Sequence, residues 1–146
     1  MSPPPGILVL DTNVISELMR SSPDETVQQW AGELPSDQVH TTAVTVAEVR
    51  LGIARLPASR RRDLLQAAAL DVFDTFSDRV LPFDADAARR YADVVTEREQ
   101  VGTPISGFDA QIAAICRAQR AILVTRNTSD FTGLGLHLIN PWLPRS

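Results

Sequence analysis

Three times in this chain a short β-forming run gives way abruptly to a segment of helical period: ILVL at TNVISELM, QVHTT at AVTVAEVR, RVLPF at DADAARRY. Two further runs, AILVT and LHLIN, complete the pattern. Strands that alternate with helices read as an α/β fold with a mainly parallel sheet, because a parallel return needs a crossover that a helix supplies. Nothing else in the sequence restricts the architecture so much. It also makes each junction informative, since ligands of such sheets bind beyond the carboxyl ends of the strands.

The first junction is the sharpest. In ILVLDTNVISE, residues 7 to 17, a continuous apolar run reaches Asp11, and Val14, Ile15 and Leu18 then recur at helical spacing. Residues 1 to 6 are a Pro-rich lead, and residues 7 to 146 read as one domain. A helix is expected over about 12 to 20. SSPDETVQQWAGEL supplies a cap, a first-turn Pro and acids for a second helix. TVAEVRLGIARL opens with Thr45 and Glu48 in capping-box spacing, and Pro57 ends that helix. Residues 58 to 77 form a further helix, Asp84 caps one running to about 100, and Ser106 caps GFDAQIAAICRAQ. RNTSDF is a loop or short turn.

Four acids fall at these junctions. Asp11 ends the first strand, Glu48 and Asp109 each fall in the first turn of a helix, and Asp130 follows AILVT by a few residues. Taken singly, each has a plain explanation as a cap or as a partner of the helix dipole. Brought to one edge, they do not. Two bare carboxylates about 4 Å apart repel by roughly 4 kcal/mol at an effective dielectric near 20, so four together call for protons or a cation. A carboxylate set without His or Cys suits magnesium or manganese, not zinc. His40 and His137 lack ligand spacing to any other His or Cys and read as ordinary strand residues, and Cys116 lies with Ile112 and Ala113 on a buried helix face.

Composition sets bounds on partners. Net charge is −4, and all 14 basic residues are arginine. A chain that held long nucleic acid by charge alone would be basic, so any such contact should be local or mediated by cations. The absence of lysine removes a P-loop nucleotidase, and it removes a phosphoacceptor signalling domain of the kind that keeps a lysine at its active edge. One cysteine excludes an internal disulfide and fits the cytoplasm, and MSPPPG has neither the basic start nor the apolar run of a secretory signal. No apolar stretch reaches the roughly 20 residues of a membrane span.

VLDTNVISE, TTAVTVAEVRLG, ISGFDAQIAAIC, LVTRNTSDF and NPW, in this order, resemble the PIN-domain family, and within it the VapC-like (FitB-like) toxins of bacterial toxin–antitoxin pairs. The resemblance runs from about residue 7 to 142. It implies a three-layer fold with a five-stranded sheet flanked by helices, a magnesium-dependent ribonuclease activity, and assembly as a homodimer or with a cognate antitoxin. The family's acids fall on Asp11, Glu48 and Asp109. Many relatives carry the fourth immediately after TR, where this chain has Asn127; Asp130, three residues on, is the nearest acid.

On that reading Asp11 and Asp109 are the principal ligands, Glu48 holds a metal water or acts as base, and Asp130 supports a second ion. Thr12, Asn13, Thr125 and Asn127 orient waters or phosphate oxygens. RLPASRRR, with Arg60, Arg61 and Arg62, is a solvated face or a contact for RNA or antitoxin. Arg50 could reach Glu48 or substrate, the direction of Arg126 is open, and Trp30 is core or an antitoxin contact. A non-catalytic PIN-like binding module and a metal-dependent phosphatase for small phosphoesters are the alternatives.

Overall fold

The computed structural model describes residues 6–144. The Pro-rich lead therefore lies outside the described residues, apart from Gly6. Strand β1 (Leu8–Leu10) runs through Asp11 into α1 (Thr12–Leu18), and α2 (Glu25–Gly32) follows. Asp24 caps α2 by accepting from the amides of Thr26 and Val27, which leaves Pro23 ahead of the cap, not in the first turn. β2 (Val39–Thr42) passes without a linker into α3 (Ala43–Ala54), and α4 (Arg60–Phe76) leads to β3 (Val80–Leu81). α5 (Ala85–Gln100), α6 (Gly107–Gln119), β4 (Ile122–Val124), a short 3-10 turn (Thr128–Phe131) and β5 (Leu138–Ile139) complete the order.

The five strands pair in the order β3-β2-β1-β4-β5, and every pairing is parallel. The expectation of a mainly parallel sheet is thus met in full. The strands hold only two to four residues each. β1 lies at the centre because its residues can be buried on both faces: Leu8, Val9 and Leu10 are each at most 1% exposed. Val9 packs with Ala87 and Val94 of α5, and with Ala110, Ile112, Ala113 and Cys116 of α6. Leu8 and Leu10 point the other way, into Val14, Ile15, Trp30, Val49, Ile53 and Phe73 from α1 to α4. Alternation along one three-residue strand therefore feeds two cores, and the fold has three layers. Trp30 belongs to the second core. Burial pushes the Cys116 thiol well above the ordinary thiol range, which makes it an inert core residue.

The chain builds β2 on one side of β1 and returns to place β4 on the other. Neighbouring connections leave in opposite directions there, and a crevice opens beyond the carboxyl ends of β1 and β4. The amide of Asp11 donates to Val124 O at 2.9 Å, so the first acid stands at that opening.

Candidate metal centre and active site

Asp11 occupies the turn between β1 and α1 with only 4% of its surface exposed. Its Oδ1 accepts from the amide of Thr12 at 2.8 Å, and its Oδ2 from the Thr125 hydroxyl at 2.8 Å. Asn13 Nδ2 lies 3.4 Å from the same Oδ2 and 3.3 Å from Thr125 Oγ1, while Asn13 Oδ1 accepts from the amide of Arg126. Asn13 thereby ties the start of α1 to the residues after β4. Thr125 is fully buried behind Asp11 and also accepts from the amide of Asn127.

Glu48 reaches the cleft by a route that capping-box spacing does not suggest. Thr42, the last residue of β2, is the N-cap of α3 and accepts from the amide of Thr45. Thr45 is therefore inside the first turn and Glu48 in the second, so Glu48 caps nothing. Its Oε1 accepts from Thr12 Oγ1 at 2.8 Å, and Thr12 Oγ1 is also 3.2 Å from Thr45 Oγ1. Asp109 is in the first turn of α6, three residues beyond its cap Ser106, as expected. Asp130 is exposed on the 3-10 turn, inside it and not at its cap; the next residue, Phe131, is 1% exposed and anchors the turn in the core.

These residues share one cleft of about 240 Å³, lined by Asp11, Thr12, Asn13, Glu48, Asp109, Asn127, Asp130 and Phe131. Thr125 stands just behind that lining. A larger cavity of about 410 Å³, bordered by Leu10, Leu18, Ala31, Val72 and Phe76, is mainly apolar and lies apart from the four acids. The chemistry follows the acids, not the volume.

Burial first, and neighbouring negative charge second, raise the pKa of Asp11, Glu48 and Asp109. Burial, chiefly, and then the charges of Asp109 and Glu48 push Asp11 up to about 6, against the hydrogen bonds from Thr125 and Thr12. Burial and the Asp109 charge raise Glu48 despite its bond from Thr12. Burial and the Asp130 charge raise Asp109, opposed by Ser106 and by the Arg98 guanidinium. Desolvation and gathered negative charge together thus exceed what the surrounding donors offset. Among the described residues, no three acidic, His or Cys groups draw in to a single chelating point; the acids line a cleft. Its donors are oxygens of carboxylates, amides and hydroxyls, which suits a hard divalent ion that keeps part of its water shell.

The remaining expectations divide. Arg126 stacks on Trp142, with its guanidinium carbon 4.9 Å from the ring centroid. Arg50 borders a groove with Ile53, Gln66 and Leu70, on the side of α3 that faces α4. Arg60 and Arg61 are exposed at the start of α4, while Arg62 donates to Leu56 O. His40 Nδ1 is 2.9 Å from Gln38 O, and neither His lines the cleft. Sequence reasoning missed Arg98, 7% exposed on α5, and the buried Thr42–Thr45 hydroxyl pair behind Glu48. Nothing local to Arg98 marks it; an arginine in the last turns of a helix is ordinary.

The family model described as the PIN domain matches residues 8–133. Over 139 residues the chain is 42% identical to the VapC ribonuclease Y4jK of Sinorhizobium fredii, covering 94% of this chain and 99% of that one. It is 35% identical over 137 residues to the toxin FitB of Neisseria gonorrhoeae, covering 93% and 99%. The chain belongs to the PIN domain family, among its VapC- and FitB-like toxins. The crystal structure of FitAcB from Neisseria gonorrhoeae matches this PIN domain with a TM-score of 0.86 at 35% identity, over 93% of this chain and 99% of that one. FitAB bound to a DNA fragment matches with a TM-score of 0.87 at 34% identity, over 96% and 99%. The fold expected from the sequence is therefore the fold of solved relatives.

Thr125→Val tests how this PIN domain holds its most buried acid. The substitution keeps the volume and removes the donor to Asp11 Oδ2 and the acceptor for the amide of Asn127. It should destabilise the protein by about 1–3 kcal/mol, since the buried Asp11 carboxylate loses a donor and the amide of Asn127 an acceptor. Melting within 1 °C of the parent would show that Thr125 is a bystander.

Proposed function

We propose that this VapC-type ribonuclease toxin cleaves RNA phosphodiester bonds in the acid-lined cleft, that it needs magnesium or manganese to do so, and that a cognate antitoxin holds it silent. The observation that carries the reading is the convergence of four acids from four separate segments on one cleft, each of the three more buried ones pushed toward protonation. Relatives named as ribonucleases support the substrate class. Relatives solved as toxin–antitoxin complexes support the partner. Assembly as a homodimer, or with the antitoxin as a hetero-oligomer, and residence in the cytoplasm belong to the same proposal; among the described residues no helix is long and apolar enough to cross a membrane.

Asp11 and Asp109 would hold the ion, with Glu48 through water and Asp130 at the outer side. The bound ion would lower the pKa of water and neutralise charge that builds on the phosphoryl oxygens. The protein's own groups do the rest. Thr12 and Thr125 hold Glu48 and Asp11 in fixed orientations through bonds of 2.8 Å. Glu48, half-buried and more basic than an exposed carboxylate, takes the proton of the attacking water at its Oε atoms. Asn127, on the cleft wall, can donate from its amide to a phosphate oxygen. Cleavage leaves RNA ends whose atoms come from water and the broken P–O bond alone.

Purified protein should cut RNA with magnesium and stop cutting with EDTA. It should leave a small aryl phosphate intact, and expression should arrest growth unless a small partner gene is co-expressed. Hydrolysis of the aryl phosphate at a rate matching RNA would favour the phosphatase reading, and an inert protein with bound RNA would favour a binding module.

Asp130, not Asn127, is assigned the fourth negative charge. Asp130→Asn should raise the magnesium concentration for half-maximal cleavage by roughly tenfold, since an amide oxygen binds magnesium less well than a carboxylate. An unmoved magnesium curve for Asp130→Asn, beside a shifted one for Asn127→Ala, would show that the assignment belongs to Asn127.

A further inference from the structure

Arg98 grips the two segments that carry the outer acids. Its Nε donates to Thr103 O at 2.8 Å and to Thr103 Oγ1 at 3.1 Å, and its Nη1 donates to Asp130 O at 2.6 Å. Thr103 belongs to the loop that leads into α6 and Asp109. That loop folds back on the end of α5, where Gly102 takes a positive φ of 77° and the amide of Thr103 donates to Arg98 O. Asp130 belongs to the 3-10 turn, closed by its amide on Asn127 O.

A guanidinium removed from water is costly unless its donors find acceptors, and here Nε and Nη1 are met by backbone and hydroxyl oxygens. An arginine needed only for charge could have met the acids at the surface. This one spends its fork on backbone carbonyls, a geometry that lysine cannot copy. We propose that Arg98 is a positioning residue: by tying the loop before α6 and the turn of Asp130 to one rigid helix, it sets the spacing of Asp109 and Asp130 across the cleft. The inference rests on the reading of the cleft as a divalent-ion site.

Charge alone predicts the opposite effect, which makes the inference testable by sign. A cation beside Asp109 and Asp130 repels a divalent ion, so removing a mere counter-charge would tighten ion binding. Removing a positioning group loosens it, by an expected factor of about ten, as for other residues that orient metal ligands.

The experiment measures manganese binding by electron paramagnetic resonance for the parent, Arg98→Gln and Arg98→Lys, each alone and combined with Asp130→Asn. Both single variants should bind manganese about tenfold more weakly. In the Asp130→Asn background the further loss should be clearly smaller than in the parent, because only the loop that leads to Asp109 is then left for Arg98 to position. Amide exchange over residues 128 to 131 should also accelerate in the metal-free Arg98→Gln protein. Two variants guard against a failure of either to fold. Unchanged or tighter manganese binding, full additivity with Asp130→Asn, or unaltered exchange would overturn the role given to Arg98 and leave the metal reading standing. A parent protein that binds no manganese would overturn both.

Discussion

Asp11→Asn should lower RNA cleavage by roughly a hundred- to a thousandfold and, at the same time, raise the melting temperature of the metal-free protein at neutral pH. Loss of cleavage follows from removing the most buried charge of the cleft, on the scale seen when one group that stabilises charge in a transition state is lost. The gain in stability follows from the pKa. Burial holds the folded-state value at about 6, above the unfolded value of 3.8. Below pH 3.8 both states carry the proton and no penalty exists. As pH rises from about 4 through 6 the unfolded chain ionises first, so stability falls; above that the full cost remains, about 3 kcal/mol for a difference of this size.

Asn keeps the acceptor that caps α1 and removes the charge. It also loses the second carboxylate oxygen that Thr125 uses, so the net gain should be about 1–2 kcal/mol, or several degrees. Melting curves in EDTA should separate the two proteins at pH 7.5 and bring them together near pH 4.5. Magnesium should then stabilise the parent and leave the variant unmoved. Full cleavage by Asp11→Asn would remove Asp11 from the mechanism. A variant that melts lower at both pH values would show that Asp11 serves the fold first.

Phe131→Ala is the second large effect. The ring is 1% exposed and packs with Val9, Ile112, Ile115, Leu123 and Leu134, the core between the sheet and α6. Truncating a buried aromatic costs about 3–5 kcal/mol, which should lower the melting temperature by on the order of 10 °C. Phe131 also lines the cleft and follows Asp130 directly, so loosening it should shift the magnesium curve in the direction expected for Asp130→Asn. Calorimetry and a magnesium titration on the same preparation would check both. A loss under about 1 kcal/mol would mean that the turn holds without its anchor, and the direction of Asp130 would need another cause.

Much of this was open to reading along the chain. The helices capped by Asp84 and Ser106 begin where the sequence places them, because a cap and the first turn it serves lie within three residues of each other. The strands were visible as short apolar runs between such caps, and Asp11 was visible as the charge at the end of one. All four acids could be named for the same reason: strand ends and helix starts are local events, and parallel α/β sheets bring them to one edge. What one chain segment cannot encode is its neighbour. Glu48 looked like a capping residue because Thr45 stands three places before it; only the direct passage of β2 into α3, with Thr42 as cap, turns Glu48 toward Thr12. The bond from Thr125 to Asp11 joins the ends of two strands that pair side by side yet lie far apart in sequence. Arg98 is silent in sequence because its partners are backbone oxygens, which every residue has; their placement beside one guanidinium exists only once α5, the loop before α6 and the turn of Asp130 have packed. Local propensity and spacing thus determined the elements and the charges, while the strand order and long-range hydrogen bonds decided which charges meet and which donors hold them.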